Sequence, residues 1–362
     1  MTLPGQRPLE LLRDEEGVGR LRPDPARPLF SATHEEVLLG HTTDVYFVKT
    51  QQVLRRVGKA DTLVVAEVFP RGEGLLAGVE EALRLLANRP PELGPVEVWA
   101  LDEGEPFAAR EVVLRIHGPY SAFGIYETAI LGILAHSSGW ATAARRIVEA
   151  AGGKPVSSFG ARHVHPAVAP VMERAALIGG AAGAACVLGA KLLGREPVGT
   201  VPHALMLILG DTVEGALAYH RHAGPGSPRI ILVDTFKDEA EESLRVAQAL
   251  GEALEGIRLD TPGERGGVTP ELVREVRARL DQAGYRHVRI FVSGGLTPEK
   301  VRALAEAGAD AFGVGSYISS AAPIDMTMDI KEVAGRPVAK RGRIPGITPN
   351  PRLRRRLPGG DG

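Results

Sequence analysis

Two glycine-bearing runs, FVSGGL and, on the next strand–helix unit, FGVGS, are the most chemically specific feature of the chain. Gly294, Gly295, Gly313 and Gly315 stand where backbone amides can approach a phosphate, with Ser293 and Ser316 as hydroxyl donors and a helix amino terminus behind them. One such run alone serves a tight turn equally well. Paired on consecutive late units, the two favour phosphate, which parallel barrels often hold at that place. Asp234 in RIILVD and Asp260 in GIRLD follow apolar runs directly, so each falls at the carboxyl end of its strand, where parallel α/β folds build their sites. Helix capping is the alternative for either carboxylate, and more so for Asp234, which has Thr235 beside it. Arg258, between Ile257 and Leu259 at a strand end, offers a planar fork to an anion. Lys237, just past the LVDT run, keeps open an isomerase or aldolase built on the same phosphate cup.

The elements that position these residues follow a change of rhythm. Up to Lys154 amphipathic helical patterns mix with strand-like runs such as VEVWAL and REVVLRIHGPY, which reads as α+β. From Pro155 to Tyr317 short apolar runs (PVGTVP, RIILVD, GIRLD, RIFVSGG, AFGVGS) alternate with helix-length amphipathic segments, predicting βα units and a parallel sheet. Between Leu296 and Gly308, Thr297 caps a helix, Pro298 suits its first turn, Val301, Leu304 and Ala305 share a face, and Gly308 ends it. These units fall short of a full barrel. The predicted class is α/β: an N-terminal α+β sandwich over residues 1–154, an irregular, incomplete α/β barrel over 155–317 carrying the phosphate site, and a C-terminal segment over 318–362 returning to the first domain's sheet. A hairpin-like turn is expected at Ala334-Gly335.

Composition narrows the function classes. The chain has 362 residues, 44% hydrophobic and 24% charged, with no apolar run long enough to span a bilayer, so no membrane partner is expected. Its acidic, proline-bearing opening lacks a secretory pattern, which makes the cytoplasm the expected compartment. A net charge of -1 gives no basic field for nucleic acid, and the tail PRLRRRLPGG reads as a solvated basic stretch. The single cysteine, Cys186, supplies neither an internal disulfide nor a thiolate zinc site and reads as packing. Scarce asparagine with plentiful Arg, Glu and Pro fits heat adaptation and GC-rich coding equally.

The segments SSFGARHVHP, GTVPHALM, LVDTFKDE, GIRLDTPG and VSGGL, with TTDVYF earlier, resemble in order and spacing the nicotinate phosphoribosyltransferase family, from Thr43 to about Arg341. The resemblance implies an α/β sandwich joined to an irregular barrel of the quinolinate phosphoribosyltransferase type. It also implies a head-to-tail homodimer with shared sites, and transfer of phosphoribosyl from phosphoribosyl pyrophosphate to nicotinate, with or without ATP coupling.

By the same resemblance, Tyr46 reaches the neighbouring subunit's pyridine ring and Phe159 covers the ring's other face, an arrangement that suits offset stacking. Arg162 and Arg258 hold phosphate, pyrophosphate or the nicotinate carboxylate. Thr200 lies in the substrate site, and His203 is a phosphoryl acceptor when ATP is used. Asp234 and Asp260 serve the ribose and a Mg²⁺ shared with pyrophosphate. His163 stands where relatives often carry a second arginine. Ala184 and Ala185 occupy a stretch that carries an aspartate in amide-using relatives, which favours an acid substrate. No clustered cysteines are present for a zinc tail, so no zinc is expected. Quinolinate phosphoribosyltransferase is the nearest alternative, with Arg162, His163 and His165 as candidate cations for a second carboxylate. A silent nucleotide-binding barrel is the alternative from another class.

Overall fold

The computed structural model describes residues 9–24 and 27–359. The chain forms two compact units, one from residues up to Gly139 together with those from Ala322 onward, the other Trp140–Ala321. The expected boundary at 154/155 marks the first barrel strand but not the start of the barrel unit. The helix Glu127–Ala150 already belongs to that unit in its second half, where Ala141 and Ala144 pack so closely on Gly179 that a Cβ there would lie 2.4 Å from the Ala141 carbonyl oxygen. Trp140 Nε1 also donates to the Ser319 carbonyl. A change of sequence rhythm records where strands begin, not where a long helix changes partners.

The first unit is built on a six-stranded antiparallel sheet ordered Arg336–Pro337, Met326–Val333, Leu63–Pro70, Leu114–Pro119, Glu97–Ala100, Arg354–Leu357. The C-terminal residues thus return to this sheet on both edges. Ala334 (φ 48°) and Gly335 (φ 72°) form the two-residue turn of a hairpin, both left-handed as a type I′ turn requires. The strand Leu63–Pro70 is buried on both faces. Its inner face joins Leu83, Leu86, Phe123, Ile130 and Leu134 in one apolar cluster. On its outer face Glu67, only 1% exposed, accepts from Arg115 and from the Thr348 amide, so the charge is neutralised and hydrogen-bonded where it is buried. The basic tail is not a free solvated stretch. Arg354–Leu357 pairs with Glu97–Ala100, and Arg352, Arg354, Arg355 and Arg356 form ion pairs with Glu105, Glu111, Asp102, Glu97 and Glu80.

The second unit holds a six-stranded parallel sheet ordered Gly183–Ala184, Val156–Ser158, Ala311–Val314, Arg289–Ser293, Gly256–Leu259, Ile230–Leu232. The strands are short and mostly buried, as expected for a sheet covered by crossover helices. The helices begin where their sequences say they should: Thr297 caps Pro298–Glu306, Thr269 caps Pro270–Gln282, and Asp238 caps Glu239–Leu250. Asp234 and Asp260 are therefore not spent as helix caps. PVGTVP, read as a strand, is irregular, because Pro197, Gly199 and Pro202 remove donors and stiffness. Only Val198 reaches a strand, donating to the Ala184 carbonyl, and the short strand Gly183–Ala184 sits in the small-residue stretch instead. No helix among the described residues is long and apolar enough to cross a membrane.

Candidate active site

All six strands of the second unit run parallel, so their carboxyl ends and the turns after them share one rim, and that rim collects the predicted residues. Phe159 and Arg162 follow Val156–Ser158; Asp234 follows Ile230–Leu232; Arg258 lies within Gly256–Leu259 and Asp260 follows it. Ser293 ends its strand and Gly294 and Gly295 succeed it; Gly315 and Ser316 follow Ala311–Val314.

The centre is a chain of charge. Arg258 Nη1 donates to Thr200 Oγ1 at 2.6 Å, and Nη2 stands 3.5 Å from Asp260 Oδ2. Asp260 Oδ1 accepts from the buried Ser293 hydroxyl at 2.7 Å. Burial pushes the Arg258 pKa down, opposed by Asp260 and Asp234, while the like charge of Arg162 adds to the lowering. Arg258 Nε is buried without a hydrogen-bond partner. A buried guanidinium with an unfilled donor is suited to an anionic ligand.

Asp234, with its side chain 2% exposed, has one oxygen engaged and one idle. His203 Nε2 lies 2.9 Å from Oδ2, whereas Oδ1 is buried with no partner. Burial raises the Asp234 pKa; the hydrogen bond and charge of His203 pull it back, and Asp260 repels. An ionised Asp234 accepts from the Nε2–H tautomer of His203, in which Nδ1 is the nucleophilic nitrogen. His203 opens the helix His203–Leu209 and is 38% exposed at its side chain.

The glycines divide into two kinds. Gly294 (φ 92°) and Gly295 (φ 57°) are left-handed, and a Cβ on Gly294 would meet Asp260 Oδ1 at 3.3 Å. Gly313 lies inside its strand, paired with Ser293 and Ser157, so it does not offer a loose turn to a phosphate. Its missing side chain makes room for Phe159, whose Cε2 lies 2.2 Å from where a Cβ would stand. Gly315 likewise admits the turn from Phe159 to His163, with the Phe159 carbonyl 3.2 Å and His163 Nε2 3.1 Å from a built Cβ. Ser293 is committed to Asp260, while Ser316 is exposed at the start of the helix Ser316–Ser319.

Arg162 is exposed in the turn Ala161–His163 and makes no ion pair among the described residues. Tyr46 belongs to the first unit, 56% exposed in the opening turn of Val45–Arg56, its hydroxyl 3.4 Å from Asp44 Oδ2. Asp44 is fixed by Thr128, which donates to Oδ2 at 2.9 Å. Lys237 is exposed and pairs with Glu241, so it does not sit in a desolvated pocket of the kind a Schiff-base lysine uses. Cys186 is half-buried.

Sequence reading missed Glu173. This carboxylate is fully buried on Ala169–Ile178 and accepts from Ser158 Oγ and from the amides of Ala161 and Cys186, so it ties together the turns that carry Phe159, Arg162 and Ala185. Its burial raises its pKa against the pull of those hydrogen bonds. The available signal was a lone acid on the apolar stretch APVMERAALI. Glu239 is similar: 3% exposed, it accepts from Thr261 Oγ1 beside Asp260.

The family description "Quinolinate phosphoribosyl transferase, N-terminal domain" matches residues 44–138, and "Quinolinate phosphoribosyl transferase, C-terminal domain" matches residues 140–329. Nicotinate phosphoribosyltransferase pncB1 of Mycobacterium tuberculosis (strain ATCC 25618 / H37Rv) is 34% identical over 259 residues, 68% of this chain and 56% of that protein. The chain thus spans little more than half the length of that relative. A probable nicotinate-nucleotide pyrophosphorylase [carboxylating] of Methanothermobacter thermautotrophicus is 23% identical over 273 residues, 75% of this chain and 89% of that protein. Among solved structures, nicotinate-nucleotide pyrophosphorylase from Pyrococcus furiosus superposes with a TM-score of 0.83 at 46% identity, covering 89% of this chain and 82% of that one. The names of similar proteins divide between nicotinate phosphoribosyltransferase and nicotinate-nucleotide pyrophosphorylase, so the expected narrower family is met only at the level both share. The two matched domains together cover the sandwich and the barrel, and the chain belongs to the quinolinate phosphoribosyltransferase family.

Proposed function

We propose that this chain transfers the phosphoribosyl group of phosphoribosyl pyrophosphate to nicotinate, giving nicotinate mononucleotide and pyrophosphate in NAD biosynthesis. The observation that carries this reading is the Thr200–Arg258–Asp260 chain beside Asp234, in which a buried guanidinium nitrogen and a buried carboxylate oxygen both lack partners. Such a rim is suited to an anion and a cation together.

In the reaction, the pyridine nitrogen's lone pair forms a bond to ribose C1 as the C1–oxygen bond breaks and its electrons leave with pyrophosphate. No protein nucleophile is needed. Arg258 and Arg162 stabilise the departing pyrophosphate, and fixed geometry supplies much of the rate. Asp260, oriented by Ser293, accepts from ribose hydroxyls. Asp234 and Asp260 fit a Mg²⁺, because one oxygen of Asp234 is unpartnered and the two carboxylates repel; Mg²⁺ commonly takes one or two carboxylates plus substrate phosphates. When bound, it supplies charge neutralisation to the pyrophosphate. His203, with Nδ1 turned free by its contact to Asp234, is the phosphoryl acceptor if ATP is coupled. Phe159, seated over Gly313, gives the ring one aromatic face, and Tyr46 of a second copy gives the other in a homodimer.

Among curated relatives the one named for nicotinate is 34% identical against 23% for the carboxylating enzyme, which supports nicotinate, whereas the solved nicotinate-nucleotide pyrophosphorylase at 46% identity supports quinolinate. Tyr46 feels the charges of Asp44 and Glu127, an acidic setting that disfavours a second carboxylate. Quinolinate is the second reading, favoured by Arg162, His163 and His165 all standing exposed on one rim turn and the segment after it. Offering nicotinate, quinolinate and nicotinamide singly with phosphoribosyl pyrophosphate and Mg²⁺ tests the reading. Turnover of nicotinate alone supports it, and turnover of quinolinate alone replaces it.

A further inference from the structure

The first unit carries a cleft of about 340 Å³ lined by Phe69, Pro70, Arg71, Arg110 and Arg343, which the proposed reaction does not use. Its arginines are held in three different ways. Arg343 is fixed: Nε lies 3.0 Å from Asp329 Oδ2 and the guanidinium stands 5.2 Å over the Phe69 ring. Arg71 is loosely paired with Asp325 at 3.7 Å, both side chains mostly exposed, an interaction of little weight. Arg110 is exposed and its side chain makes no hydrogen bond or ion pair among the described residues.

Arg110 is also in a place that arginine should avoid. It is the third residue of the turn Ala108–Glu111, closed by the Glu111 amide donating to the Ala108 carbonyl and the Ala108 amide donating to Glu111 Oε2. Its φ is 66°, a left-handed position that glycine or asparagine fills without strain. Its own amide is spent on the Pro70 carbonyl, which locks the turn against the cleft wall. A strained residue with a free cation, aimed from a locked turn beside two other cations, points to a ligand. Three guanidinium groups against Asp325 and Asp329 leave the cleft with one net positive charge.

We propose that this cleft is a binding site for a phosphate anion, with the planar forks of Arg110 and Arg343 as its recognition groups. The anion is either free pyrophosphate or the phosphate chain of a nucleotide. The cleft residues all belong to the first unit, whereas Arg258 belongs to the second.

The test is calorimetric titration of the full chain with pyrophosphate, orthophosphate and ATP, in wild type, Arg110→Gly, Arg258→Ala and the double variant. Because glycine suits the turn, Arg110→Gly should melt at or above the wild-type temperature. Two classes of pyrophosphate or ATP site are expected, one lost in Arg258→Ala and the other weakened at least about tenfold in Arg110→Gly, as for one charge-assisted contact removed. Pyrophosphate binding in the Arg258→Ala background that needs Arg110 identifies a free anion; binding of ATP alone there identifies a nucleotide. An Arg258→Ala chain that binds none of the three anions, or that binds them no more tightly than the double variant does, overturns the proposal.

Discussion

Replacing Glu127 with glutamine should stabilise the protein at pH 8 while leaving it unchanged near pH 4.5. Glu127 opens the helix Glu127–Ala150 and lines a cleft of about 510 Å³ in the first unit with Tyr120, Phe123, Asp329 and Lys340. Burial first, then repulsion by Asp329 and Asp44, raises its pKa from 4.5 to about 7, with Lys340 acting the other way. Below pH 4.5 the carboxyl is protonated folded and unfolded, and no difference arises. Between pH 4.5 and about 7 the folded state holds a proton that the unfolded state has lost, so stability falls as pH rises; above about 7 the whole penalty is present. A shift of that size corresponds to about 3 kcal/mol at 1.36 kcal/mol per unit, and the cleft's opening to solvent reduces it to about 2 kcal/mol. Glutamine keeps the shape and removes the charge. For a domain of this size the gain at pH 8 is about 4 to 8 °C in melting temperature. Thermal melts of both proteins at pH 4.5, 6 and 8 check it. A gap of the same size at every pH, or a less stable variant at pH 8, would refute the assignment of a buried, repelled carboxylate.

Other expectations concern the rim. Arg258→Ala should keep its fold and lose on the order of 10²- to 10³-fold in turnover at saturating donor, the usual loss for a group facing developing negative charge; wild-type kinetics would remove its role. Gly313→Ala sets a methyl against the Phe159 ring, so a loss of about 1 to 3 kcal/mol in chemical denaturation and a raised KM for the pyridine are expected. Unchanged values for both would mean that Phe159 is not seated where it matters. His203→Asn should abolish any ATP stimulation and any phosphohistidine detected by mass spectrometry, while ATP-independent transfer stays within about tenfold. Stimulation that survives the substitution would place phosphoryl transfer elsewhere.

What could be read from the sequence was what short-range pattern encodes. Thr297, Pro298 and Gly308 bound their helix as expected, Ala334-Gly335 turns a hairpin, and Asp234 and Asp260 fall at strand ends because an apolar run followed by a carboxylate has few other placements in a parallel sheet. The contents of FGVGS were harder. Glycine in a sheet can admit either a ligand or another side chain, and only three-dimensional proximity to Phe159 shows that Gly313 does the second. Glu173 was hidden for the converse reason, since its partners Ser158, Ala161 and Cys186 come from separate turns. The basic tail resembled solvent-facing sequence because its acidic partners, Glu80, Glu97, Asp102, Glu105 and Glu111, lie far away along the chain.

Nucleotide and carbon dioxide measured in one reaction test the central claim most directly, because quinolinate must lose a carboxylate to yield the same nucleotide and nicotinate need not. With nicotinate and quinolinate present together at equal concentration, beside phosphoribosyl pyrophosphate and Mg²⁺, the account predicts nicotinate mononucleotide with no matching release of carbon dioxide. Carbon dioxide released mole for mole with the nucleotide would contradict it.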